Sequence, residues 1–168
     1  QPMLRDGTVV GIQSTTRDIT ERKKMEGALR ESEEKFSKIF QSSPDAVAIT
    51  RLRDGVYVEV NKAFQDATGL AREEVIGNSS ASAQVGMQDP EVFQKLWKEL
   101  RERGEVSGIE VAGQVKDGST NLATLTARVV EIGGEPCVLN IMHDITEQKR
   151  IENALEESER RLRLVTDN

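Results

Sequence analysis

The sequence predicts an α+β fold, with an antiparallel sheet of about five strands, short helices on one face and a charged helix at either end. Strand-like runs come as two before the central helical segments and three after them, with Asp-Gly or Gly-Gly turns. A second observation is a repeat: residues 18–42 and 144–168, offset by 126, agree at 11 of 25 positions. In both copies a strand-like hairpin precedes the repeat and a charged helical pattern runs through it.

Composition indicates a soluble protein with a modest core. The chain has 168 residues, of which 31% are charged and 4% aromatic, and its net charge is −6. This charge gives no electrostatic support to a nucleic-acid partner. No apolar run approaches the roughly 18 residues of a membrane span, so direct membrane contact is not expected. The lone Cys137 excludes an internal disulfide and fits a reducing compartment, so the fragment is expected to be cytoplasmic, from a parent that could be membrane-anchored.

The N-terminal residues 3–16 predict a hairpin around the turn at Asp6-Gly7. It stands before Asp18-Ile19-Thr20 as residues 128–143 stand before the second copy of that motif. Residues 1–20 are therefore interpreted as the terminal hairpin of an upstream domain. The alternative is that the hairpin belongs to the central domain.

The segments 21–40 and 147–168 are predicted helices with apolar residues at heptad spacing. A serine occupies the middle of each seam, and two or three heptads are marginal alone. Each helix could pack on its own domain, but the presence of two seams favours parallel homodimerisation through a coiled coil. The predicted dimer-seam residues are Met25, Leu29, Phe36, Ile151, Leu155 and Leu162.

The complete domain is predicted over residues 41–146. Ser43-Pro44 ends the first helix, Asn61 can cap a short helix, and Asp89-Pro90 starts the longest one. The predicted elements are strands 46–51 and 56–60, helices 62–68 and 72–76, a loop over 78–88, a helix from 90 to Gly104, and strands 106–116, 121–132 and 136–143.

The start of the second charged helix has the pattern of a capping box. Asp144 stands three residues before Glu147, so Asp144 could accept a helix N–H while Glu147 reaches back. Such a cap would fix the angle at which the helix leaves the sheet. The predicted signal-transmission joint is Asp144, Ile145, Thr146 and Glu147.

Five motifs in this order give residues 40–146 a resemblance to the PAS domain. They are Ser43-Pro44-Asp45-Ala46, Val60-Asn61-Lys62-Ala63-Phe64, Thr68-Gly69-Leu70 with Glu73-Glu74-Val75-Ile76-Gly77, Lys116-Asp117-Gly118, and Asp144-Ile145-Thr146-Glu147. The resemblance implies a PAS-like fold flanked by amphipathic signalling helices. It also implies an upstream PAS domain before the first Asp-Ile-Thr, and a parent that is a bacterial multi-PAS signalling protein.

No catalytic or metal-binding constellation is evident, so the fragment itself is not expected to be an enzyme. His143 is the only histidine, and it lies outside the central helix on which haem-binding PAS domains carry their ligand. Light-sensing flavin relatives carry a reactive Cys after the short-helix pair, where this chain has Asn78-Ser79-Ser80. Haem and covalent flavin photochemistry are therefore not expected, and any cofactor is unidentified. Cys137 is predicted to be a buried small residue, and Trp97 a core residue rather than a stacking platform for a cofactor.

A ligand pocket is predicted from strand alternation and from the resemblance. In the family, the residue two before the Asp of the terminal motif faces the pocket, which implies Met142, and alternation adds other positions. Asn140 would then bind a ligand, or else a backbone group or water. The outer sheet face would carry Leu139 and Ile141 and need cover from the N-terminal helix or a second subunit. The candidate pocket residues are Ala48, Thr50, Val138, Asn140 and Met142.

The function that these features predict is a sensory or relay PAS module in a dimeric signal-transduction protein. The parent would be a sensor histidine kinase of a two-component system or a diguanylate cyclase. The module would sense a small molecule or an upstream conformational change and pass it through the joint to the output helix. The alternative is a ligand-free structural module for dimerisation and spacing.

Overall fold

The computed structural model describes residues 2–5, 8–12, 19–80, 86–87 and 89–166, with side chains described over 19–80 and 89–163. The chain divides into two units, residues 1–38 and residues 39–168. The predicted turn at Asp6-Gly7 and the first cap residue Asp18 lie outside the described residues. So do residues 13–17, most of the loop predicted over 78–88, and residues 167–168.

The first unit contains the predicted N-terminal hairpin. Strand β1 (Pro2–Arg5) pairs antiparallel with β2 (Thr8–Ile12). Helix α1 (Thr20–Ser42) begins in this unit and ends in the second. That this hairpin closes an upstream domain stays a prediction.

The second unit carries the predicted strands and helices with small shifts at their ends. Its elements are β3 (Ala46–Arg51), β4 (Tyr57–Val60), α2 (Lys62–Thr68), α3 (Arg72–Val75), β5 (Gly86–Met87), α4 (Pro90–Arg103), β6 (Glu105–Gln114), β7 (Thr120–Ile132), β8 (Glu135–Asp144) and α5 (Thr146–Thr166).

These strands form one antiparallel sheet in the order β4-β3-β8-β7-β6-β5. Five of the strands are those predicted, which confirms the α+β fold class. The sixth, β5, lies inside the segment predicted as a loop. It has only two residues and pairs through Gly86 with Gln114 at the edge of β6. Its sequence has no strand pattern of its own, so the pairing with β6 is what forms it.

Local chemistry sets the bounds of the helices. Asn61 is the N-cap of α2, and its side chain accepts the Phe64 N–H. Asp89 caps α4 in the same way, with Pro90 at the first helical position. Gly104 ends α4 in the left-handed conformation, with φ of 79°, which costs a residue with a Cβ more than it costs glycine.

The sheet buries both of its faces over part of their area. On one face, Leu96 and Leu100 of α4 pack on Leu125, Ala127 and Val138. Further along that face, an apolar cluster contains Ala46, Ala48, Val60, Phe64 and Val75.

The opposite face is covered in part by the end of α1. Phe40 is buried there with Val47, Ile49 and Cys137, and Leu139 and Ile141 pack against this group half-buried. The last turn of α1 thus supplies cover of the kind expected from the N-terminal helix. No helix among the described residues is both long enough and apolar enough to cross a bilayer.

Candidate functional site

The helix-covered face of the sheet contains a cavity of about 460 Å³. This volume lies within the range of small-molecule sites. Its lining comes from β3, β4, β6, β7 and β8 on the sheet side and from α2 and α4 on the helix side. The lining residues include Ala48, Thr50, Tyr57, Phe64, Asp66, Ser80, Phe93, Trp97, Gln114, Asn121, Asn140, Met142 and Asp144.

Four of the five predicted pocket residues line this cavity, namely Ala48, Thr50, Asn140 and Met142. Val138 lies on the same face of β8, but it is fully buried in the core under α4 and does not line the cavity. Alternation along β8 chose the correct face. It could not show that α4 fills the space over Val138 and leaves the space over Asn140 and Met142 open.

Asn140 offers the cavity an amide oxygen. Its Nδ2 carries two hydrogens and has three acceptors within hydrogen-bond distance, namely the Val138 carbonyl at 3.1 Å, Thr50 Oγ1 at 3.2 Å and the Ala48 carbonyl at 3.3 Å. Its Oδ1 accepts no hydrogen bond from any described residue. The amide is therefore held to β3 by its nitrogen, and its oxygen is left for a molecule in the cavity.

Aromatic side chains from β4, α2 and α4 form much of the cavity lining. Tyr57 and Phe64 have ring centroids 5.6 Å apart, and Phe93 and Trp97 are 5.9 Å apart. Burial raises the pKa of the Tyr57 phenol to about 12, so it stays a neutral donor at any physiological pH.

The sequence predicts that Trp97 is a core residue, but its side chain is more exposed than those of its core neighbours Leu96 and Leu100. It packs against the core cluster on one side, but it is half-buried and lines the cavity. The Arg101 guanidinium lies 5.8 Å from its ring centroid, within the range of a cation–π contact. Trp97 lies beside the buried residues Leu96 and Leu100 of α4, at the edge of the core.

The cavity residues outside β3 and β8 are not among those predicted from the sequence. Gln114 and Asn121 come from β6 and β7, and Phe64 comes from α2. Only their tertiary arrangement assembles them. The predicted short helix over 62–68, with Asn61 as its cap, offered one usable signal, because its inward face could line a pocket.

The joint between β8 and α5 differs from the predicted capping box. The Asp144 carboxylate accepts the Thr146 N–H at 2.8 Å, but Ile145 holds the N-cap position, because its carbonyl accepts the first helical bond, from Lys149. Glu147 pairs with Arg150 at 3.7 Å instead of reaching back. Asp144 thus accepts a helix N–H as predicted, but the predicted box was wrong in its N-cap residue, by one position, and in the role of Glu147.

Thr146 and Ile145 attach the start of α5 to β7. Thr146 Oγ1 accepts the Leu122 N–H at 3.0 Å and lies 3.4 Å from the Leu122 carbonyl oxygen, to which it can donate. The Ile145 N–H donates to that same carbonyl at 2.9 Å, and the Ile145 side chain is buried. Three of the four predicted joint residues thus hold the first turn of α5 to a neighbouring strand or to β8.

The six predicted seam residues are exposed in the structure. On α1 the exposed fractions are 66% for Met25, 61% for Leu29 and 57% for Phe36. On α5, Ile151, Leu155 and Leu162 are exposed to a similar degree.

The two residues considered for reactive chemistry have ordinary surroundings. His143 is exposed at the end of β8, with its Nδ1 2.7 Å from Asp45 Oδ1. Cys137 is buried as predicted, and burial raises the pKa of its thiol. Among the described residues, no group of three or more His, Cys, Asp and Glu side chains could hold a metal ion.

Comparison with known proteins adds independent evidence. A family model for the PAS fold matches residues 34–145. The chain is 33% identical over 135 residues to a methyl sulfide methyltransferase-associated sensor from Methanosarcina acetivorans, covering 76% of this chain and 12% of that protein. It is 28% identical over 152 residues to sporulation kinase E from Bacillus subtilis, covering 90% and 20%.

A further relative and a solved structure agree with these matches. The chain is 30% identical over 115 residues to the diguanylate cyclase DgcM from Escherichia coli, covering 68% of this chain and 28% of that protein. The crystal structure of a PAS domain from an HTR-like protein of Haloarcula marismortui has a TM-score of 0.64 and 27% identity. That match covers 74% of this chain and all of the solved domain. The chain spans between 12% and 28% of the length of the three curated relatives.

Proposed function

This chain belongs to the PAS family, and we propose that it works as a sensory or relay module that responds to a small molecule or to an upstream conformational change. The observation that carries the proposal is the path of β8. Asn140 and Met142 of this strand line the cavity, and the same strand ends at Asp144, which also lines it and accepts the Thr146 N–H at the start of α5. A molecule in the cavity would contact the strand from which the output helix leaves.

The proposed mechanism uses two arrangements of α5. A ligand that contacts Asn140 and Met142 would shift β8 relative to β7, and with it the bonds that Leu122 makes to Ile145 and Thr146. A ligand shifts an equilibrium only by its differential affinity for the two states. The bond set at Leu122 is the element that such a ligand would bias, and a rotation or register change of α5 is the expected readout.

The proposed assembly is a homodimer through the helical seams. The exposed apolar residues of α5 recur at heptad spacing on a helix that otherwise carries charge, which is the pattern of a coiled-coil seam. The net charge of −6 and the absence of a basic patch from the sequence favour a protein partner over nucleic acid.

The proposed parent is a cytoplasmic or membrane-anchored signalling protein with a separate output domain. Relatives of this chain include a kinase and a diguanylate cyclase, and the chain matches only a part of each. The chemistry of the output would then lie in another domain, and this module would regulate it.

The competing function is a ligand-free module for dimerisation and spacing, which the exposed seams alone would support. Native mass spectrometry and an absorbance spectrum of the purified protein separate the two. We expect a bound small molecule, or a rise in thermal stability with a member of a broad metabolite screen. Protein that is free of ligand and whose melting temperature no metabolite changes would contradict sensing and favour the spacer.

A further inference from the structure

The cavity has an uneven distribution of charge that bears on what it can bind. We infer that it takes a neutral or cationic, largely apolar molecule that donates a hydrogen bond to Asn140, and that it excludes carboxylates and phosphates. This inference rests on the proposed sensory function and specifies its ligand class.

The charged side chains among the described lining residues are both acidic. They are Asp66 on α2 and Asp144 at the end of β8, and none of the described lining residues is Lys, Arg or His. Asp66 pairs with the exposed Lys62, which does not line the cavity, and Asp144 accepts the Thr146 N–H. An anion in this cavity would meet two acidic side chains and no basic lining residue.

The neighbouring segment does not change this balance. Residues 81–88 follow the lining residue Ser80 along the chain, and their sequence is Ala-Ser-Ala-Gln-Val-Gly-Met-Gln. It contains no basic residue, so this segment offers an anion no countercharge wherever it lies. A buried anion without a countercharge or a set of converging donors is strongly disfavoured.

Besides the hydroxyls of Tyr57 and Ser80, of which the buried Ser80 Oγ has no partner among the described residues, the cavity offers two fixed acceptors. Asn140 Oδ1 is an acceptor, and its direction is fixed because the two hydrogens of the amide nitrogen have three protein acceptors within hydrogen-bond distance. The Asn121 amide donates to the Ala67 carbonyl at 3.4 Å and leaves its Oδ1 as a second acceptor. Acceptors held in place in this way select a ligand that brings N–H or O–H donors.

The apolar part of the lining sets the rest of the ligand. Phe64, Phe93, Trp97 and Met142 present aromatic and thioether surface to the cavity. Aromatic rings stack on such surfaces, and a cation gains from the face of Trp97 as Arg101 does outside. The arrangement therefore suits a planar aromatic body with an uncharged or positively charged polar end.

Three isosteric probes test the charge preference. Biphenyl-4-carboxamide, biphenyl-4-carboxamidine and biphenyl-4-carboxylate share a planar apolar body and carry charges of 0, +1 and −1 at neutral pH. Their affinities are measured by isothermal titration calorimetry and by thermal shift, since a ligand of the native state raises the melting temperature. We expect the carboxamide and the amidine to bind at least about tenfold more tightly than the carboxylate.

Two charge-matched variants locate the effect. Met142→Lys puts a cation into the cavity and should reverse the order, so that the carboxylate binds best. His143→Lys adds the same charge on the next residue of β8, which is exposed on the other face, and should leave the order unchanged. If Met142→Lys fails to fold, Gln114→Lys at the β6 wall serves the same purpose.

The outcomes separate this inference from the proposed function. Carboxylate binding to the unmodified protein as tight as carboxamide binding, the lack of binding by all three probes, or an order that neither cavity lysine reverses would overturn the inference. A failure of the proposed sensory function gives a different result, in which the probes bind in the expected order of affinity but hydrogen exchange of α5 does not change. That result would support the inferred ligand class and contradict the relay to α5.

Discussion

The side chain of Asn61 connects the first segments of the second unit by hydrogen bonds. Its Oδ1 accepts the N–H groups of Val47 and Phe64, each at 2.9 Å, and its Nδ2 donates to the carbonyls of Phe40 at 3.2 Å and Asp45 at 2.9 Å. The side chain is fully buried and makes four bonds. One amide thus joins the last turn of α1, the start of β3 and the start of α2, which is more than the helix cap that the sequence predicted.

Exchange of this amide for a carboxyl group tests that role. Asn61→Asp keeps an acceptor but replaces two donors with oxygen opposite two carbonyls, so we expect a loss of about 2–4 kcal/mol in the free energy of unfolding at neutral pH. Chemical denaturation measures it. Asn78→Asp is the control, because Asn78 is exposed and donates one bond, to the Glu74 carbonyl. A loss at Asn61 no larger than at Asn78 would show that the four bonds carry little stability.

Tyr57 predicts a pH dependence of stability, and its ionisation can be measured by absorbance because it is the only tyrosine in the chain. Burial raises the pKa of its phenol from 10.0 to about 12. Between these values the unfolded chain has released the proton and the folded chain holds it, so the unfolded state binds fewer protons and stability falls as pH rises. We expect the phenolate absorbance of the folded protein to titrate near pH 12, and near 10 in denaturant.

Tyr57→Phe is the matched variant for this titration. It keeps the ring on Phe64 but has no proton to lose, so its stability should not decline through the Tyr57 step. A folded-state titration of the unmodified protein at the ordinary tyrosine value would mean that the phenol is solvated and does not face a dry cavity.

Among the elements, α5 depends on few bonds for its attachment. Thr146 Oγ1 and the Ile145 N–H both bond to Leu122, and the Asp144 carboxylate holds the Thr146 N–H. Beyond Lys149, which pairs with Glu110 of β6 at 3.1 Å, residues 150–163 of the helix are exposed. Because these bonds all lie at the first turn of α5, a movement of that turn would be passed to the helix.

Removal of the hydroxyl at Thr146 tests this attachment. Thr146→Val keeps the shape of the side chain but breaks its bonds to Leu122, and we expect faster hydrogen exchange in the first turn of α5 and a stability loss of about 1 kcal/mol. Asp144→Ala should act in the same direction through the Thr146 N–H. Thr126→Val is the control, because Thr126 is an exposed residue of β7 whose hydroxyl lies 3.3 Å from Ser107 Oγ. Equal exchange in all three variants would exclude Thr146 as an anchor.

At the scale of the whole molecule, we predict self-association through the α5 seam, and a substitution that introduces one charge into the seam tests it. Leu155→Glu places a carboxylate in the middle of the exposed apolar stripe. We expect a sedimentation profile shifted toward the monomer, since like charges would face each other across a parallel seam. Asn153→Glu adds the same charge on the other side of the helix and should leave association intact. An unaltered profile for Leu155→Glu would exclude the seam as the interface.

The fold could be predicted from the sequence wherever local chemistry decides an element. The capping bonds of Asn61 and Asp89 start α2 and α4, and the left-handed conformation of Gly104 ends α4. The helices predicted from the sequence start and end at the same residues. The two-residue strand β5 could not be predicted, because only its partner β6 defines it. The capping box failed for a related reason: the first turn of α5 takes its register from Leu122, which lies 24 residues away.

The candidate site was predictable only along the strands that alternation describes. Ala48 and Asn140 are register partners on neighbouring strands, so one inward residue implies the other. The walls from α2, β6 and β7 depend on packing between distant segments. Val138 shows the limit most clearly, because it faces the same way as Asn140 and yet is covered by Leu96 and Leu100.

The position of β8 also determines when the domain can be completed during synthesis. It is the last strand of the sheet to be made, yet it pairs with β3 on one side and β7 on the other, joining residues such as Ala48 and Asn140 that are 92 apart. Non-local pairings of this kind form slowly, because a long loop must close first. Until residue 144 leaves the ribosome, β3 with β4 and β6 with β7 are two separate ribbons with exposed apolar faces. Helix α5 therefore gains its bonds to Leu122 and Asp144 only once β8 has paired with its neighbours, so a chain whose sheet has not closed would lack this anchor.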